Sequence, residues 1–432
     1  MRVFAIVLIA VLFMSCQQDR RPNIIYIMVD DMGYGDLSCF GRKEFQTPVL
    51  DAFAKEGVRL TNAYAACAIC TPTRVGFMTG KFPARNPIGL REPLLMDSTD
   101  IHIGLDPKTP TISSLLKEAG YSTALIGKWH LGFEPPFLPL NHGFDYFFGI
   151  TAGGADYVSH RYDGNPTLFE NDKPVEEQGY LTDLITEHAV QFLKGADRTR
   201  PFFLSLQYTA PHWPWQKPGD SALADSLGMK AGGNAEVYAA MVTNLDQNIG
   251  RVLNFLKEED LEDNTLVVFT SDNGGEKFSN MGIYRGGKFQ LWEGGIRVPA
   301  MVRWPGKITP GTESNQVAIT MDWMATLLKA GGVKLDNLNL DGVDLMPQLS
   351  KDASNVPRKL YWRVANRTPY AAFTSGSWKY LKEKDAEYLF NLSEDPTESH
   401  NLKDENPERF QKMKSSYDSM NSQMLAPYLF PR

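Results

Sequence analysis

Cysteine is scarce. Four cysteines in 432 residues cannot staple a disulfide scaffold. Positive charge is not in excess either. Lys plus Arg number 44 against 51 Asp plus Glu, a net charge of −7, opposite to the balance of a general nucleic-acid binder, so no nucleic acid is expected among the partners. Gly (36) and Pro (27) are too few and too irregular for a collagen-like or low-complexity chain. No internal repeat is visible. Beyond the N-terminus, no apolar run is long enough to cross a bilayer. What is present is core material: hydrophobic residues are 43% and charged residues 22%, which excludes wholesale disorder. The length suits two or three units, or one large α/β domain with a smaller companion.

The N-terminus reads as a targeting segment. Arg2 precedes an uninterrupted apolar run, Val3 to Met14, then Ser15 and Cys16. The run is short for a permanent membrane helix and resembles a bacterial lipoprotein signal. The expectation is a signal peptide over 1–15, lipidation of Cys16 as a membrane anchor, a polar tether over 16–21, and an exported protein of the periplasm or outer membrane.

From residue 22 the chain alternates strands and helices. Asn23 to Val29 is a continuous apolar run, as expected of a parallel strand buried on both faces. Similar runs recur at Ser122 to Gly127, Phe202 to Tyr208 and Leu266 to Thr270. Helices are expected over Thr47–Gly57, with Thr47 as cap, Pro48 in the first turn and Gly57 as stop, and over Thr111–Gly120, Tyr180–Lys194 and Ala235–Lys257. After Gly331-Gly332 the pattern changes to four short strands, Leu360–Val364, Tyr370–Ser375, Trp378–Lys382 and Glu387–Leu392, and a helix from Pro407 to Met424. The expected organisation is an α/β catalytic domain over 22–334 and a smaller antiparallel α+β subdomain over 335–432.

Two acidic pairs stand just past buried strands. Asp30-Asp31 follows the first, and Asp272-Asn273 follows Leu266 to Thr270. Ligands of α/β sheets bind at that edge. Three carboxylates and an amide oxygen are hard donors, suited to Ca2+ or Mg2+ rather than Zn2+. Cys67-Ala-Ile-Cys70 invites a redox or zinc reading, but no second ligand pair exists for zinc.

The longer string is more informative. Cys70-Thr-Pro-Thr-Arg74, followed by Val75-Gly-Phe-Met-Thr-Gly-Lys81, resembles the maturation signature of the type I sulfatases. In chain order the resemblance takes in Asp30-Asp31, Gly127-Lys128-Trp129-His130-Leu131-Gly132, Asn141 to Gly149, Ala210-Pro211-His212, Asp272-Asn273, Gly286-Gly287-Lys288 and Trp292 to Arg297, with no departure at an active-site position. It implies an alkaline-phosphatase-like mixed sheet sandwiched by helices, with a smaller C-terminal antiparallel sheet plus helix. It implies that a maturase oxidises Cys70 to Cα-formylglycine. It also implies that Asp30, Asp31, Asp272, Asn273 and the modified Cys70 hold a metal, Ca2+ in preference to Mg2+.

The roles it implies make chemical sense. Attack on an anionic sulfate ester needs positive charge, which Arg74, Lys128 and Lys288 would supply. Arg74 would hold the formylglycine hydrate and Lys128 would bridge it to the sulfate. His130 would take the hydroxyl proton as sulfate leaves, and His212 with Lys288 would serve the leaving alcohol. The expected activity is hydrolysis of a carbohydrate O-sulfate. A phosphonate monoester or phosphodiester hydrolase of the same superfamily and a non-catalytic sulfated-glycan-binding protein are the alternatives. Around the site, Trp213 and Trp215 are candidates to stack on sugar. The Gly149–Gly164 loop, with Asp156, Tyr157, His160 and Arg161, is expected over the pocket, and Arg285 is placed to meet a substrate anion. Cys39 and Cys67 are expected as buried thiols or as a disulfide. His102, His142, His160, His188 and His400 carry no motif and read as structural.

Overall fold

The computed structural model describes residues 21–427 apart from 98, 223–227, 231, 351–352 and 366–367. The signal segment, Cys16 and all of the tether except Arg21 lie outside the described residues. No described helix is long and apolar enough to cross a membrane.

A ten-stranded mixed sheet organises the larger part. Its order runs Thr312–Ser314, Val58–Leu60, Ala300–Arg303, Thr265–Ser271, Asn23–Val29, Phe202–Gln207, Ser122–Gly127, Tyr146–Ile150, Leu168–Glu170, Lys173–Pro174. The five strands from Thr265–Ser271 to Tyr146–Ile150 are parallel, so their carboxyl ends share one edge. Burial on both faces explains the unbroken apolar runs. Ile25, Ile27 and Val29 pack with helices Pro48–Glu56, Leu181–Gly195 and Ala235–Glu258. Ile24, Tyr26 and Met28 face the other way, toward Cys70–Thr79, Ile112–Glu118 and Thr320–Ala330.

The expected helices form with ends shifted by at most three residues, but the caps divide. Thr111 Oγ1 accepts the Ser114 N–H at 3.1 Å. Thr47 makes no such bond to its helix. Its hydroxyl is taken by Ser38, and Asp246, from the neighbouring long helix, accepts the Val49 and Leu50 N–H groups at 3.1 and 2.8 Å. A tertiary carboxylate thus does what a local cap was expected to do.

The C-terminal part is an antiparallel meander of Lys359–Val364, Tyr370–Ser375, Trp378–Glu383 and Ala386–Asn391, backed by helix Pro407–Asn421. Its core is not its own. Leu360, Trp362, Phe373 and Leu381 pack with Tyr64, Ile69, Leu291 and Ile296, and Trp362 Nε1 donates to the Ala65 carbonyl at 2.8 Å. The small sheet therefore supports the chain that enters the Cys70 helix. Cys39, Cys67 and Cys70 are free thiols, so the disulfide alternative for Cys39 and Cys67 is not what the structure holds. Burial and the Asp51 carboxylate push the Cys39 thiol up to about 12, which keeps it protonated and unreactive.

Candidate active site

The parallel edge gathers residues from six segments. Asp30 and Asp31 leave the central strand, and Asp272 and Asn273 leave its neighbour. Lys128 and His130 follow Ser122–Gly127, and His212 follows Phe202–Gln207. Adjacent strand residues point to opposite sides, so Asp30 and Asp31 converge only if the backbone turns. It does: Asp31 adopts φ 64° and His130 φ 58°, left-handed conformations that are uncommon outside glycine and that cluster at functional sites. Cys70 is the first residue of a helix buried along its whole length, and Arg74 lies one turn on, so their i, i+4 spacing puts both on one face.

The contacts knit these residues into one buried cluster. Cys70 Sγ lies 3.3 Å from His130 Nδ1. Lys128 Nζ meets Asp30 Oδ2 and Lys288 Nζ meets Asp31 Oδ2, each at 2.6 Å. Arg74 donates to Asp272 Oδ2 at 2.9 Å and to the Lys128 carbonyl and Gln207 Oε1 at 3.1 Å. Asn273 Nδ2 donates to Asp31 Oδ1 at 2.7 Å, and His212 Nε2 stands 3.6 Å from Asp31 Oδ2. The ten residues given catalytic or metal-binding roles thus lie in this one cluster.

Burial and crowding set the charges. Burial pushes the Cys70 thiol up, against the pull of Lys128 and Lys288. Burial and the neighbouring Asp30 raise Asp272 to about 7. Asp31 is buried too, yet Lys288 and His212 hold it down at about 2. His130 is driven well below its ordinary value by burial and Lys128, and His212 by burial and Lys288, so both imidazoles are neutral near pH 7. Their tautomers follow from their partners. His130 Nε2 faces the Leu94 carbonyl at 2.9 Å, which can only accept, so Nδ1 presents a lone pair to Cys70. His212 Nδ1 faces the Trp213 carbonyl at 2.6 Å, which frees Nε2.

The donor set fits a hard divalent cation. Asp30 Oδ1 and Asn273 Oδ1 are buried with no hydrogen-bond partner, an expensive arrangement unless something positive meets them. The Arg74 guanidinium stands 3.8 Å from Asp30 Oδ1. Ligand atoms of Asp30, Asp31 and His212 lie within 4.8 Å of one another. All donors from the two acidic pairs are oxygens, as calcium prefers.

Several expected rim residues do other work. Asp156 accepts the Val158 and Ser159 N–H groups and the Gln216 amide. Tyr157 is fully buried and its hydroxyl donates to the His212 carbonyl at 2.9 Å. His160 meets the Gly179 carbonyl, and Arg161 binds Gly164 and Glu176 outside the pocket. Arg285 stacks 3.7 Å from the Trp292 ring centroid and donates to the Glu398 carbonyl, so it braces the small sheet. Trp215 is buried against Phe278. Trp213 alone of the two tryptophans lies on a pocket histidine, with ring centroids 4.2 Å apart. Of the remaining histidines, His188 stacks on Phe148, His142 packs on Trp129, and His102 and His400 pair with surface glutamates.

Sequence reasoning passed over three contributors. Gln207 anchors Arg74 from a strand end that looked merely apolar. A Cβ on Gly153 would fall 2.7 Å from His130 Cε1, and one on Gly154 would fall 3.1 Å from His212 Cε1. The adjacent glycines were visible, but nothing local says that a backbone packs flat on both histidines.

A mixed sheet with helices on both faces, and a charged pocket at its carboxyl edge, places the chain in the alkaline-phosphatase-like class. The sulfatase family profile matches residues 22–333, and that of the N-sulphoglucosamine sulphohydrolase C-terminal region matches 284–424; the chain belongs to the sulfatase family. It is 35% identical to mouse (Mus musculus) arylsulfatase J over 77% of its length, spanning 56% of that protein. It is 30% identical to the N-acetylgalactosamine-6-O-sulfatase of Bacteroides thetaiotaomicron, over 94% of both chains. Among solved structures, Ps i-CgsB in complex with k-i-k-neocarrahexaose superposes with a TM-score of 0.86 at 31% identity, covering 96% of this chain and 95% of that one.

Proposed function

We propose that this protein is a sulfuric ester hydrolase that releases inorganic sulfate from a carbohydrate O-sulfate, using formylglycine made from Cys70 and a calcium ion. One observation carries the reading: Cys70 faces a lone pair on His130 within a pocket holding three buried cations and the unpaired oxygens of Asp30 and Asn273. Two relatives support the carbohydrate, one named N-acetylgalactosamine-6-O-sulfatase and one solved in complex with k-i-k-neocarrahexaose.

As its hydrate, formylglycine would supply an attacking hydroxyl and a second hydroxyl whose deprotonation expels sulfate. Calcium held by Asp30, Asp31, Asp272, Asn273 and the modified side chain would acidify the attacking hydroxyl and neutralise sulfate oxygens. The chain's own residues do the rest. Three carboxylates match three side-chain cations, so the pocket is formally neutral until a divalent ion adds the positive charge a sulfate needs. His130 Nδ1 sits where a proton on the residue-70 side chain can be taken. Burial works against the charge on Lys288, but Asp31 holds it protonated, so Lys288 is the cation that meets the ester oxygen, with His212 Nε2 beside it. The Leu94 and Trp213 carbonyls keep both imidazoles in the useful tautomer.

The N-terminal segment supports export and lipidation at Cys16, which would place the enzyme where polymeric glycans are met. The test is the mass of the Cys70 peptide from protein made with a maturase, together with sulfate release from monosulfated galactose, N-acetylgalactosamine and glucosamine. Replacement of sulfur by a carbonyl oxygen is expected, with Cys70→Ala lowering turnover at least about 10⁴-fold. An intact thiol beside a correctly matured control sulfatase would sink the mechanism and favour a glycan-binding protein. Faster cleavage of phosphonate esters than of any sulfate ester would move the chain to the related hydrolases.

A further inference from the structure

His130 is held by a residue to which the proposed chemistry gives no role. Its backbone adopts φ 58°, a conformation that persists only where the surroundings over-determine it. The His130 N–H donates to the Thr151 carbonyl at 3.2 Å, and the Thr71 hydroxyl donates to the His130 carbonyl at 3.4 Å. The same Thr71 oxygen accepts the Leu94 N–H at 3.2 Å. Leu94 in turn supplies the carbonyl that meets His130 Nε2 at 2.9 Å. One hydroxyl thus ties the backbone that carries the imidazole to the backbone that carries its acceptor.

Thr71 follows Cys70 on the helix Cys70–Thr79, so the tie starts from the element that carries the reacting side chain. Thr71, Leu94 and His130 are all buried, and a hydroxyl offers a donor and an acceptor in one atom. A methyl group there would take the acceptor from Leu94 and the donor from the His130 carbonyl together. The strap is fixed on either side of Leu94 as well. Glu92 Oε2 accepts the N–H of Ala365, the residue after strand Lys359–Val364 of the small sheet, at 2.8 Å. The Leu95 N–H donates to Asp100 Oδ2 at 2.9 Å. A carbonyl so held can set the tautomer and direction of a ring, as a loose one cannot.

We propose that Thr71 is a positioning residue, whose hydroxyl clamps the Leu94 carbonyl and the His130 backbone together so that Nδ1 is aimed at residue 70 for the step in which sulfate departs. Its side-chain hydrogen bonds go to His130 and Leu94. Among the described residues none goes to Arg74, Lys128, Lys288 or His212, the groups that serve attack on sulfur and the leaving alcohol. The clamp therefore acts on the later step and leaves the earlier one alone. The proposal rests on the formylglycine-sulfatase reading and adds a residue to it.

The experiment uses the matured full-length enzyme, Thr71→Val, which keeps the shape, and Thr71→Ser, which keeps the hydroxyl. Formylglycine content is read by mass, and Tm is measured for each. On the best-cleaved of the three monosulfated sugars, Thr71→Val is expected to lower kcat per formylglycine about 10- to 100-fold. KM should fall with it, so that kcat/KM, which reports the steps up to loss of the desulfated sugar, changes less than about three-fold. In quenched single turnovers the sugar should leave in a burst ahead of sulfate. Thr71→Ser should restore most of kcat. A kcat for Thr71→Val within about two-fold of wild type overturns this proposal alone. So does a parallel fall in kcat and kcat/KM, because a merely structural loss affects every step alike. If Thr71→Val fails to fold or to mature, Glu92→Ala loosens the same strap from outside the Cys70–Arg74 string and is judged by the same two criteria. Matured wild-type enzyme that releases sulfate from none of the sugars overturns the carbohydrate-sulfatase reading, and this proposal with it.

Discussion

Two clusters of buried charge lie in this molecule, and they are built differently. Under the small sheet, Lys379 Nζ meets Glu293 Oε1 at 2.9 Å and Glu398 Oε1 at 2.8 Å. Arg297 Nε meets Glu293 Oε2 at 2.8 Å, and the Tyr64 hydroxyl donates to the same oxygen. Each carboxylate has an opposite charge or a donor within bonding distance, and the cluster joins the small sheet to the segment before the Cys70 helix. Glu398 Oε1 lacks a hydrogen bond, but the Lys379 ammonium stands 2.8 Å from it. At the edge of the large sheet the count of charges also balances, yet Asp30 Oδ1 and Asn273 Oδ1 are without hydrogen bonds, and Arg74 stands 3.8 Å from Asp30 Oδ1. Contact between each buried carboxylate oxygen and a cation or donor suits a cluster that holds the fold, whereas buried oxygens lacking such contact suit one that receives a cation.

Breaking the closed cluster should have the largest effect on folding. Lys379→Met leaves Glu398 buried without a cation and Glu293 with Arg297 alone and should cost about 3–5 kcal/mol, read as a lower urea midpoint. Adding Glu398→Gln, which removes the carboxylate left without a cation, should recover much of the loss. A midpoint unchanged in the single variant would erase the distinction between the clusters.

The second test strikes geometry at the open cluster. Gly153→Ala would put a methyl group 2.7 Å from His130 Cε1. A displaced imidazole should lower kcat about 10²-fold with little change in Tm. A fall in Tm of the size seen for Lys379→Met, with kcat preserved in what folds, would make the glycine structural.

The third and smallest effect is on pH dependence. Burial lifts Asp272 and Glu398 each to about 7, so between about pH 4 and 7 the folded chain binds protons that the unfolded chain has released. Stability from these groups is therefore fully present at the acid end and lost as pH rises through the folded values. In chelator, Asp272→Asn should flatten part of that fall. Calcium should flatten the same part in the wild type, because a bound cation favours the carboxylate, and should leave the Glu398 part in place. Identical Tm-against-pH curves with calcium and with chelator would remove the metal from the open cluster.

Legibility in the chain followed the same divide. The central strands were readable because burial on both faces leaves a continuous apolar run. The short strands Val58–Leu60 and Ala300–Arg303 were not, since three or four residues carry no period. The two acidic pairs were readable because they follow buried apolar runs, and Cys70, Arg74, Lys128, His130, His212 and Lys288 were readable through the resemblance of their motifs. Asp156, Tyr157, His160 and Arg285 were assigned outward to substrate but turn to backbone carbonyls, backbone N–H groups, a buried amide and an aromatic ring. A loop gives no period from which to tell a side chain's direction, and packing alone decides it.

Read alone, the chain specifies most of its longer strands and helices and the two acidic pairs at strand ends. These rest on periodicities of two and 3.6 residues that act over a few neighbours. Only the tertiary structure decided which oxygens stay unpaired and that Asp31 and His130 bend into left-handed backbone to face the pocket. Those outcomes depend on groups distant in sequence sharing one low-dielectric space, where each charge must find a partner or await one.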